Sequence, residues 1–193
     1  MVLGKCGSKS SVLPAVHSEG IPLSYFDTVA PSTTIRMFFC FLDSNQLMHI
    51  RLETEVDGNF REVIAAFDQR LFEALKPPLA KMEIVEFTGS QKGDRVHIRF
   101  LQPIKAEWIS IITADEMHET EAWFTDEGTQ LPWPLVFWKH QHLIQKVSED
   151  RSLIVDNIQF RAKNAFLSFL LYPAIFMGFW PRKKIYRKYF LRG

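Results

Sequence analysis

Two histidines and an aspartate are the side chains in this sequence most able to do chemistry. His140 and His142 lie two residues apart in WKHQH, and Asp156 lies in VDNIQF, after the turn SEDR. Because side chains at positions i and i+2 share one face of a strand, both imidazoles point the same way. A tight turn centred on Glu149 would place His142 opposite or diagonal to Asp156. The spacing therefore predicts a hydrogen-bonded His142–Asp156 pair.

Such a pair has several possible uses. The simplest is structural, since a buried polar group left unpaired costs about 1–3 kcal/mol. The pair could instead orient a carbonyl or hydroxyl of a ligand, or act as general acid and base with an imidazole that titrates near neutrality. Two histidines could also ligate a metal such as iron. Asp156 is the only third ligand that the sequence places nearby, so we expect no metal and no cofactor.

The folded part of the chain begins at Met48. MHIRLETEV alternates apolar and polar residues, which is typical of a half-buried strand. Apolar residues at spacings of three and four then predict one or two helices from about Phe60, capped by Asp57 or Asn59 and stopped by Pro77-Pro78. The chain before this point, 1–47, is an irregular extension. It is either a flexible arm or upstream sequence before a native start at Met48, and 48–193 forms the domain.

Six strand-like runs and a final helical segment follow the first helices. The runs cover 82–88, 95–101, 105–113, 119–125, 135–147 and 152–161, and the helix covers 165–192. Strand, helices, antiparallel strands and a closing helix make an α+β order. Asp126 and Glu127, in FTDE, are expected to hold the loop that follows them by hydrogen bonds.

Apolar side chains recur on one face of the predicted strands. Ile98 and Phe100 share a face of one strand, and Trp108 lies on that of the next. Trp138 shares the face of both histidines, and Ile158 shares that of Asp156. The same face takes in Val96, Ile104, Ala106, Ile112, Val136, Ile144, Ile154 and Phe160. The histidines and the aspartate therefore interrupt an apolar surface.

Composition narrows the class of protein. The chain has 193 residues, of which 47% are hydrophobic and 23% are charged, values that indicate one globular domain. A net charge of +1 gives no reason to expect nucleic acid as a partner. Cys6 and Cys40 have no metal-binding spacing and fit a reducing, cytoplasmic setting. The sequence has no glycine-rich phosphate loop, GxSxG or HExxH pattern, which disfavours nucleotide-binding and hydrolase functions.

The C-terminal segment raises a membrane hypothesis. Asn164–Pro181 contains eighteen uncharged residues, and six bases without an acid follow from Arg182 onward. This stretch could be a tail anchor, an interfacial segment or the helix that covers the sheet. We favour the covering helix, because its removal would leave the sheet without a partner. Transient contact with an anionic membrane would use Arg182, Lys183, Lys184, Arg187 and Lys188.

Three motifs taken together carry a family resemblance. FTDE at 124–127, WKHQH at 138–142 and VDNIQF at 155–160, with Pro77-Pro78 after the helices, resemble the ligand-binding SRPBCC proteins of the START and Bet v 1 superfamily. The resemblance runs from Met48 to the C-terminus. It implies a helix-grip fold, in which a curved antiparallel sheet wraps a long C-terminal helix and two short helices follow the first strand. The loop after FTDE is longer than in this family, and the final helix contains Pro173.

The resemblance also implies a function. Its members bind hydrophobic small molecules, so we expect the protein to hold a lipid, a polyketide or a similar molecule between the sheet and the final helix, without catalysis. The alternatives are a cyclase- or dehydratase-like enzyme that uses His142 and Asp156, and a protein docked or anchored at a membrane through 164–193. The side chains expected to contact the ligand are Phe67, Leu71, Ile98, Phe100, Trp108, Trp138, His140, His142, Asp156 and Ile158.

Overall fold

The computed structural model describes residues 47–77 and 80–191 of the chain. The predictions of an N-terminal extension and of an internal start at Met48 depend on residues 1–46, which lie outside the described residues. Pro78, the second proline of the predicted helix stop, lies outside them too.

The described chain forms one antiparallel sheet of seven strands. In space the strands follow the order β1-β7-β6-β5-β4-β3-β2, so the first and last strands of the sequence are neighbours. Their bounds are β1 Met48–Asp57, β2 Lys81–Phe87, β3 Arg95–Gln102, β4 Ala106–Met117, β5 Glu121–Gln130, β6 Leu135–Lys146 and β7 Arg151–Ala162. Together with helices after β1 and after β7, this is the helix-grip arrangement, so the predicted fold class is confirmed.

The hairpin of β6 and β7 has the predicted register. His142 lies opposite Asp156, and Trp138 lies opposite Phe160. Alternate residues of β6 from Trp138 to Ile144 are buried on one face, as the alternation of the sequence requires. This register brings His140, His142 and Asp156 together near the centre of the sheet.

Two strands extend further than predicted. β4 continues to Met117 and β5 continues to Gln130, because Asp115 and Glu116 pair with residues of β5 despite their low strand propensity. The turn between them is correspondingly short, and it is closed by a hydrogen bond from the His118 N–H to the Glu121 carbonyl at 2.7 Å. Backbone pairing with a central strand thus overrides local preference.

Two residues predicted on the buried face are exposed instead. Val136 is 48% exposed because the register between β6 and β7 shifts between Leu135 and Phe137, which takes it out of the alternation. Ile104 is 70% exposed because it precedes the start of β4 at Ala106. Both errors arise at strand ends, where the alternation of apolar and polar residues gives the least information about which side chains are buried.

Two short helices follow β1, as predicted. They are α1 Phe60–Ala65 and α2 Gln69–Ala74. Of the two candidate caps, Asn59 caps α1 by accepting from the Arg61 N–H, and Asp68 caps α2 by accepting from the Leu71 N–H. The helical run is interrupted at residues 66–68, where Asp68 caps the next helix and Phe67 packs into the core.

The C-terminal segment is helical in two parts. α3 Ala165–Phe179 begins at the Asn164 cap, and α4 Arg182–Tyr189 begins after Pro181, so the predicted helix bends at this proline. Within the described part of the chain, neither of these helices nor any other is long and apolar enough to cross a membrane.

The core lies between the sheet and the helices in two clusters. One cluster joins α1, α2 and α4 to the sheet, with Tyr186 of α4 fully buried in it. The other joins α3 to β1, β6 and β7 around Trp138 and Phe160. The helices therefore cover one face of the sheet and leave a space between the two clusters.

Candidate functional site

A cavity of ≈ 180 Å³ lies between the sheet, α2 and the C-terminal end of α3. Its walls are mostly apolar, and its polar side chains come chiefly from β4, β5, β6 and Arg182. Eight of the ten predicted contact residues line it, namely Phe67, Leu71, Ile98, Phe100, Trp108, Trp138, His140 and His142. The remaining two, Asp156 and Ile158, are buried on β7 outside the cavity lining.

Asp156 contacts both histidines rather than His142 alone. Nε2 of His140 lies 3.0 Å from Oδ1 of Asp156 in a hydrogen bond. Nδ1 of His142 lies 3.2 Å from the same oxygen, as predicted for this pair, although the angles there are not those of a good hydrogen bond. The predicted His142–Asp156 register is confirmed, and the bond to His140 was not predicted because a long side chain also reaches the diagonal position on its neighbouring strand.

Asp126 completes the cluster on the other side of the histidines. It lies opposite His140 in the pairing of β5 and β6, and its Oδ2 is 3.3 Å from Nδ1 of His140. Its Oδ1 accepts a hydrogen bond from Nε1 of Trp138 at 3.1 Å, and Ser110 is a further hydrogen-bond partner. Asp126 was expected to hold a loop, whereas β5 continues through it. The register of β5 against β6 was the signal that could have identified it.

Two residues of α4 reach the same cluster and were not predicted as contacts. The hydroxyl of Tyr186 donates to Oδ1 of Asp156 at 3.4 Å. Arg182 lines the cavity, and its guanidinium carbon lies 3.9 Å from the ring centre of Phe179. Its Nε is buried and has no hydrogen-bond partner among the described residues. One N–H of this guanidinium, that on Nε, therefore has no acceptor among the described residues, whereas the guanidinium also hydrogen-bonds Tyr186.

His140 lies between two carboxylates, and the three side chains shift one another's pKa values. Burial alone would raise the pKa of Asp126 and of Asp156, but the hydrogen bonds and positive charge of His140 outweigh burial and hold both pKa values below the ordinary range. Burial alone would lower the pKa of His140, but both carboxylates outweigh it and raise this pKa above its ordinary value. The cluster therefore favours two ionised carboxylates with a protonated His140 between them.

His142 has the opposite shift from His140. Burial and the positive charge of His140 lower the pKa of His142 to about 4. Burial and the charge of Asp156 raise the pKa of Tyr186 well above its ordinary value, so its hydroxyl remains a donor. His142 is accordingly neutral at pH 7, contrary to the expectation of an imidazole that titrates near neutrality.

The charged groups of the cluster and Arg182 offset one another. Asp126 and Asp156 are negative, Arg182 and the favoured form of His140 are positive, and His142 is neutral. Asp68, which also lines the cavity, adds a further carboxylate. One donor atom each from Asp126, His140 and His142 also lie within 4.8 Å of one another, close enough to hold a metal ion.

Solved structures with the same fold share little sequence with this chain. A truncated norcoclaurine synthase from Thalictrum flavum matches with a TM-score of 0.60 and 14% identity, over 79% of this chain and 98% of that chain. A hypothetical protein from Helicobacter pylori matches with a TM-score of 0.56 and 14% identity, over 75% of this chain and 88% of that one. A START superfamily protein from Mycobacterium smegmatis matches with a TM-score of 0.50 and 10% identity, over 72% and 96%.

No protein-family model matches the sequence, and no curated protein matches it either. Identities of 10–14% establish a common fold alone. The chain therefore has the helix-grip fold found in Bet v 1-like and START proteins, and its function has to be argued from its own cavity.

Proposed function

We propose that the protein binds a compact hydrophobic molecule with one uncharged polar group in the cavity between the sheet, α2 and α3. The observation that supports this proposal is a mostly apolar cavity with Arg182 in its lining, whose Nε is buried and has no hydrogen-bond partner among the described residues. A buried donor left unsatisfied costs about 1–3 kcal/mol, which a bound acceptor would recover. An apolar space with a few convergent polar groups is the usual form of a small-molecule site.

The volume of the cavity restricts the size of the ligand. Its ≈ 180 Å³ is somewhat larger than the cavity of about 150 Å³ that binds benzene in another protein. A ligand of one or two rings suits this space, whereas a long-chain lipid would require α2 and α3 to move apart. Among the expected ligand classes, this favours a compact ring compound such as a polyketide over a lipid.

The charge balance at the polar end restricts the chemistry of the ligand. Because Asp126 and Asp156 already offset the positive charges of His140 and Arg182, and Asp68 adds another carboxylate to the lining, the carboxylate of a ligand would find no unpaired positive charge in a mostly apolar cavity. A carbonyl, ether or hydroxyl oxygen would accept from Arg182 without that penalty. We therefore propose an uncharged oxygen on the ligand.

Gly178 provides a way to fill the cavity without disturbing the core. It lies on α3 in the cavity wall, and a Cβ added there would meet nothing within 4 Å. Gly178→Leu should abolish binding of naphthol, a two-ring probe, measured by isothermal titration calorimetry. The variant should be no less stable than the unsubstituted protein, because leucine is a better helix former than glycine by about 1 kcal/mol.

A leucine on the outer side of the same helix is the matched control. Ala174 is exposed, so Ala174→Leu should leave naphthol binding unchanged. In metal-free protein kept in chelator, naphthoate, which carries a carboxylate in place of the hydroxyl of naphthol, should bind at least about tenfold more weakly, equivalent to about 1.4 kcal/mol. Undiminished naphthol binding by Gly178→Leu would place the ligand elsewhere, and tighter binding of naphthoate would contradict an uncharged polar group.

A second candidate function is docking at an anionic membrane surface, which the outer face of α3 favours. Exposed apolar residues recur on this face at intervals of three and four, and they are Phe166, Phe169, Leu170, Pro173, Met177 and Trp180. The bases Lys184, Arg187 and Lys188 are exposed on α4, the next helix. An apolar stripe beside a basic cluster is typical of a helix that lies in the membrane interface.

Vesicle sedimentation tests this second candidate. We expect the protein to sediment with vesicles of equimolar phosphatidylcholine and phosphatidylserine, less with phosphatidylcholine alone, and less at high salt. Leu170→Glu should reduce sedimentation, whereas Val85→Glu, an exposed site on edge strand β2, should not. A protein that stays in the supernatant, or that dimerises through α3 in a Leu170-dependent way, would contradict membrane docking.

The enzymatic alternative has less support from the site. An acid–base mechanism through His142 and Asp156 would need an imidazole that exchanges protons near neutrality, but the pKa of His142 is lowered to about 4. We therefore retain binding, without catalysis by this pair, as the proposed function.

A further inference from the structure

The geometry points to a binding site for one divalent transition-metal ion, with Asp126, His140 and His142 as its ligands and zinc as the ion it fits best. This departs from the sequence-based expectation of no metal. The sequence offered only Asp156 as a third ligand, whereas Asp126 is the carboxylate that the fold brings to the cavity side of both histidines.

The inner atoms of the three side chains converge. Oδ2 of Asp126 lies 3.3 Å from Nδ1 of His140 and 3.9 Å from Nε2 of His142. Tetrahedral zinc with bonds of about 2.0–2.2 Å needs its donor atoms about 3.3 Å apart. Of the three pairs of donor atoms, the Asp126–His140 pair already has this separation, and the Asp126–His142 pair needs to close by a fraction of an ångström. All three donor atoms lie within 4.8 Å of one another, so rotations of the histidine rings would have to bring the set together around an ion.

The outer atoms of the same side chains have the partners that metal ligands usually need. Oδ1 of Asp156 lies 3.0 Å from Nε2 of His140 and 3.2 Å from Nδ1 of His142, so one carboxylate faces the outer nitrogens of both imidazoles. Oδ1 of Asp126 accepts from Trp138, and Oδ2 faces Nδ1 of His140, so a bound ion would take the place of the proton on Nδ1 and release it. Carboxylates behind ligating histidines fix the ring orientation and the tautomer in metal sites.

The surroundings of His142 are compatible with a metal ion at its inner nitrogen. Nδ1 of His142 is buried 3.2 Å from Oδ1 of Asp156, although the geometry there is not that of a good hydrogen bond among the described residues. A metal bound at Nε2 would fix the tautomer with its proton on Nδ1, the nitrogen that faces this carboxylate. Asp156 would then hold the orientation of a ligating His142.

The donor set and its position indicate the kind of ion and what it could bind. Imidazole with one carboxylate suits zinc, iron, cobalt or nickel rather than calcium or magnesium, which prefer oxygen. Asp126, His140 and His142 all line the cavity and Asp156 does not, so an open coordination position would face the cavity. Three protein ligands with one open position is the arrangement of zinc sites that bind a further molecule.

Metal titration of the full chain tests the site. Cys6 and Cys40 are first replaced by serine, since thiolates bind zinc on their own. The chelator-treated protein should bind one equivalent of Zn²⁺ by calorimetry, and Co²⁺ should give the visible absorption of a four-coordinate nitrogen–oxygen site. Zn²⁺ should also raise the thermal unfolding midpoint.

Four variants separate this site from adventitious binding. His142→Gln and Asp126→Asn should weaken Zn²⁺ at least about a hundredfold, and Asp156→Asn, behind the ligands, by about 10–100-fold. His97→Gln, a histidine that instead bonds Glu107, should change nothing. Circular dichroism of the metal-free variants confirms that each is folded. Less than one equivalent of Zn²⁺, or equal affinity in His142→Gln and the unsubstituted protein, would overturn the proposal.

Discussion

Replacing Trp138 tests whether its side chain is buried and packed between the sheet and α3 as described. The side chain is 4% exposed, and its ring packs edge-on against Trp108 with ring centres 4.7 Å apart. It also packs against Phe179 of α3, and its indole N–H donates to Asp126 at 3.1 Å. Trp138→Ala removes both the packing and the hydrogen bond, whereas Trp138→Phe removes mainly the hydrogen bond.

The two substitutions should lower the free energy of unfolding by different amounts. Truncating a buried tryptophan to alanine costs about 3–5 kcal/mol, since it removes apolar contacts and leaves a void. Losing a hydrogen bond to a charged group costs about 1.5–3 kcal/mol, and Trp138→Phe should lie at the low end because Asp126 keeps its contact with His140. With a urea dependence of about 2 kcal/mol/M, these losses lower the unfolding midpoint by about 2 M and by less than about 1 M.

Trp133 offers a matched control, because it is 70% exposed. Trp133→Ala should change the free energy of unfolding by no more than about 0.5 kcal/mol. Unfolding is followed by far-UV circular dichroism, since loss of any tryptophan alters the fluorescence signal. Equal midpoints for Trp138→Ala and Trp133→Ala would refute the buried placement of Trp138, and equal losses for Trp138→Phe and Trp138→Ala would refute the contribution of its ring packing.

Two further predictions concern buried polar groups. In metal-free protein kept in chelator, the free energy of unfolding should fall as pH is lowered from about 6.5 to about 4, because unfolded His142 takes up a proton near 6.5 whereas the native pKa is about 4. The difference in pKa, roughly 2.5, corresponds to about 3 kcal/mol. Because the pKa of His140 is raised, the contribution of His140 to the free energy of unfolding is constant below about pH 6.5. In urea unfolding measured as a function of pH, His142→Gln should therefore lose this decrease in the free energy of unfolding. An unchanged decrease would contradict its assignment to His142. Ser168→Ala should cost about 1–3 kcal/mol in urea unfolding, because the Ser168 hydroxyl accepts from the buried Ala162 N–H at 2.9 Å; a loss below about 0.5 kcal/mol would contradict this.

The sequence predicts the centre of the sheet well because both periodicity and turn length constrain it. Alternation fixes which residues of β6 and β7 face inward, and the short turn after Lys146 fixes their register, so His142 opposite Asp156 follows directly. Alternation also predicts that Ile98, Phe100 and Trp108 share the inner face. The local sequence pattern is enough to predict strand pairing wherever the two strands are joined by a few residues.

Contacts between distant segments could not be predicted in the same way. The position of Asp126 depends on the register of β5 against β6 across a longer loop, and it requires β5 to run on through a polar segment. Arg182 and Tyr186 reach the cluster because the final helix bends at Pro181, a direction that helical periodicity does not specify. The additional hydrogen bond from His140 to Asp156 depends on the orientation of the imidazole ring. Such features follow from tertiary packing.

Native mass spectrometry of the protein and of Gly178→Leu, both purified without detergent, tests the central claim most directly. If the cavity holds a compact hydrophobic molecule, the unsubstituted protein should retain a discrete extra mass of small-molecule size, and organic extraction should release it. Gly178→Leu should lack that mass and remain folded. The same bound mass in both proteins would place the ligand outside this cavity, and naphthol added to an empty protein without any complex forming would contradict the binding function itself.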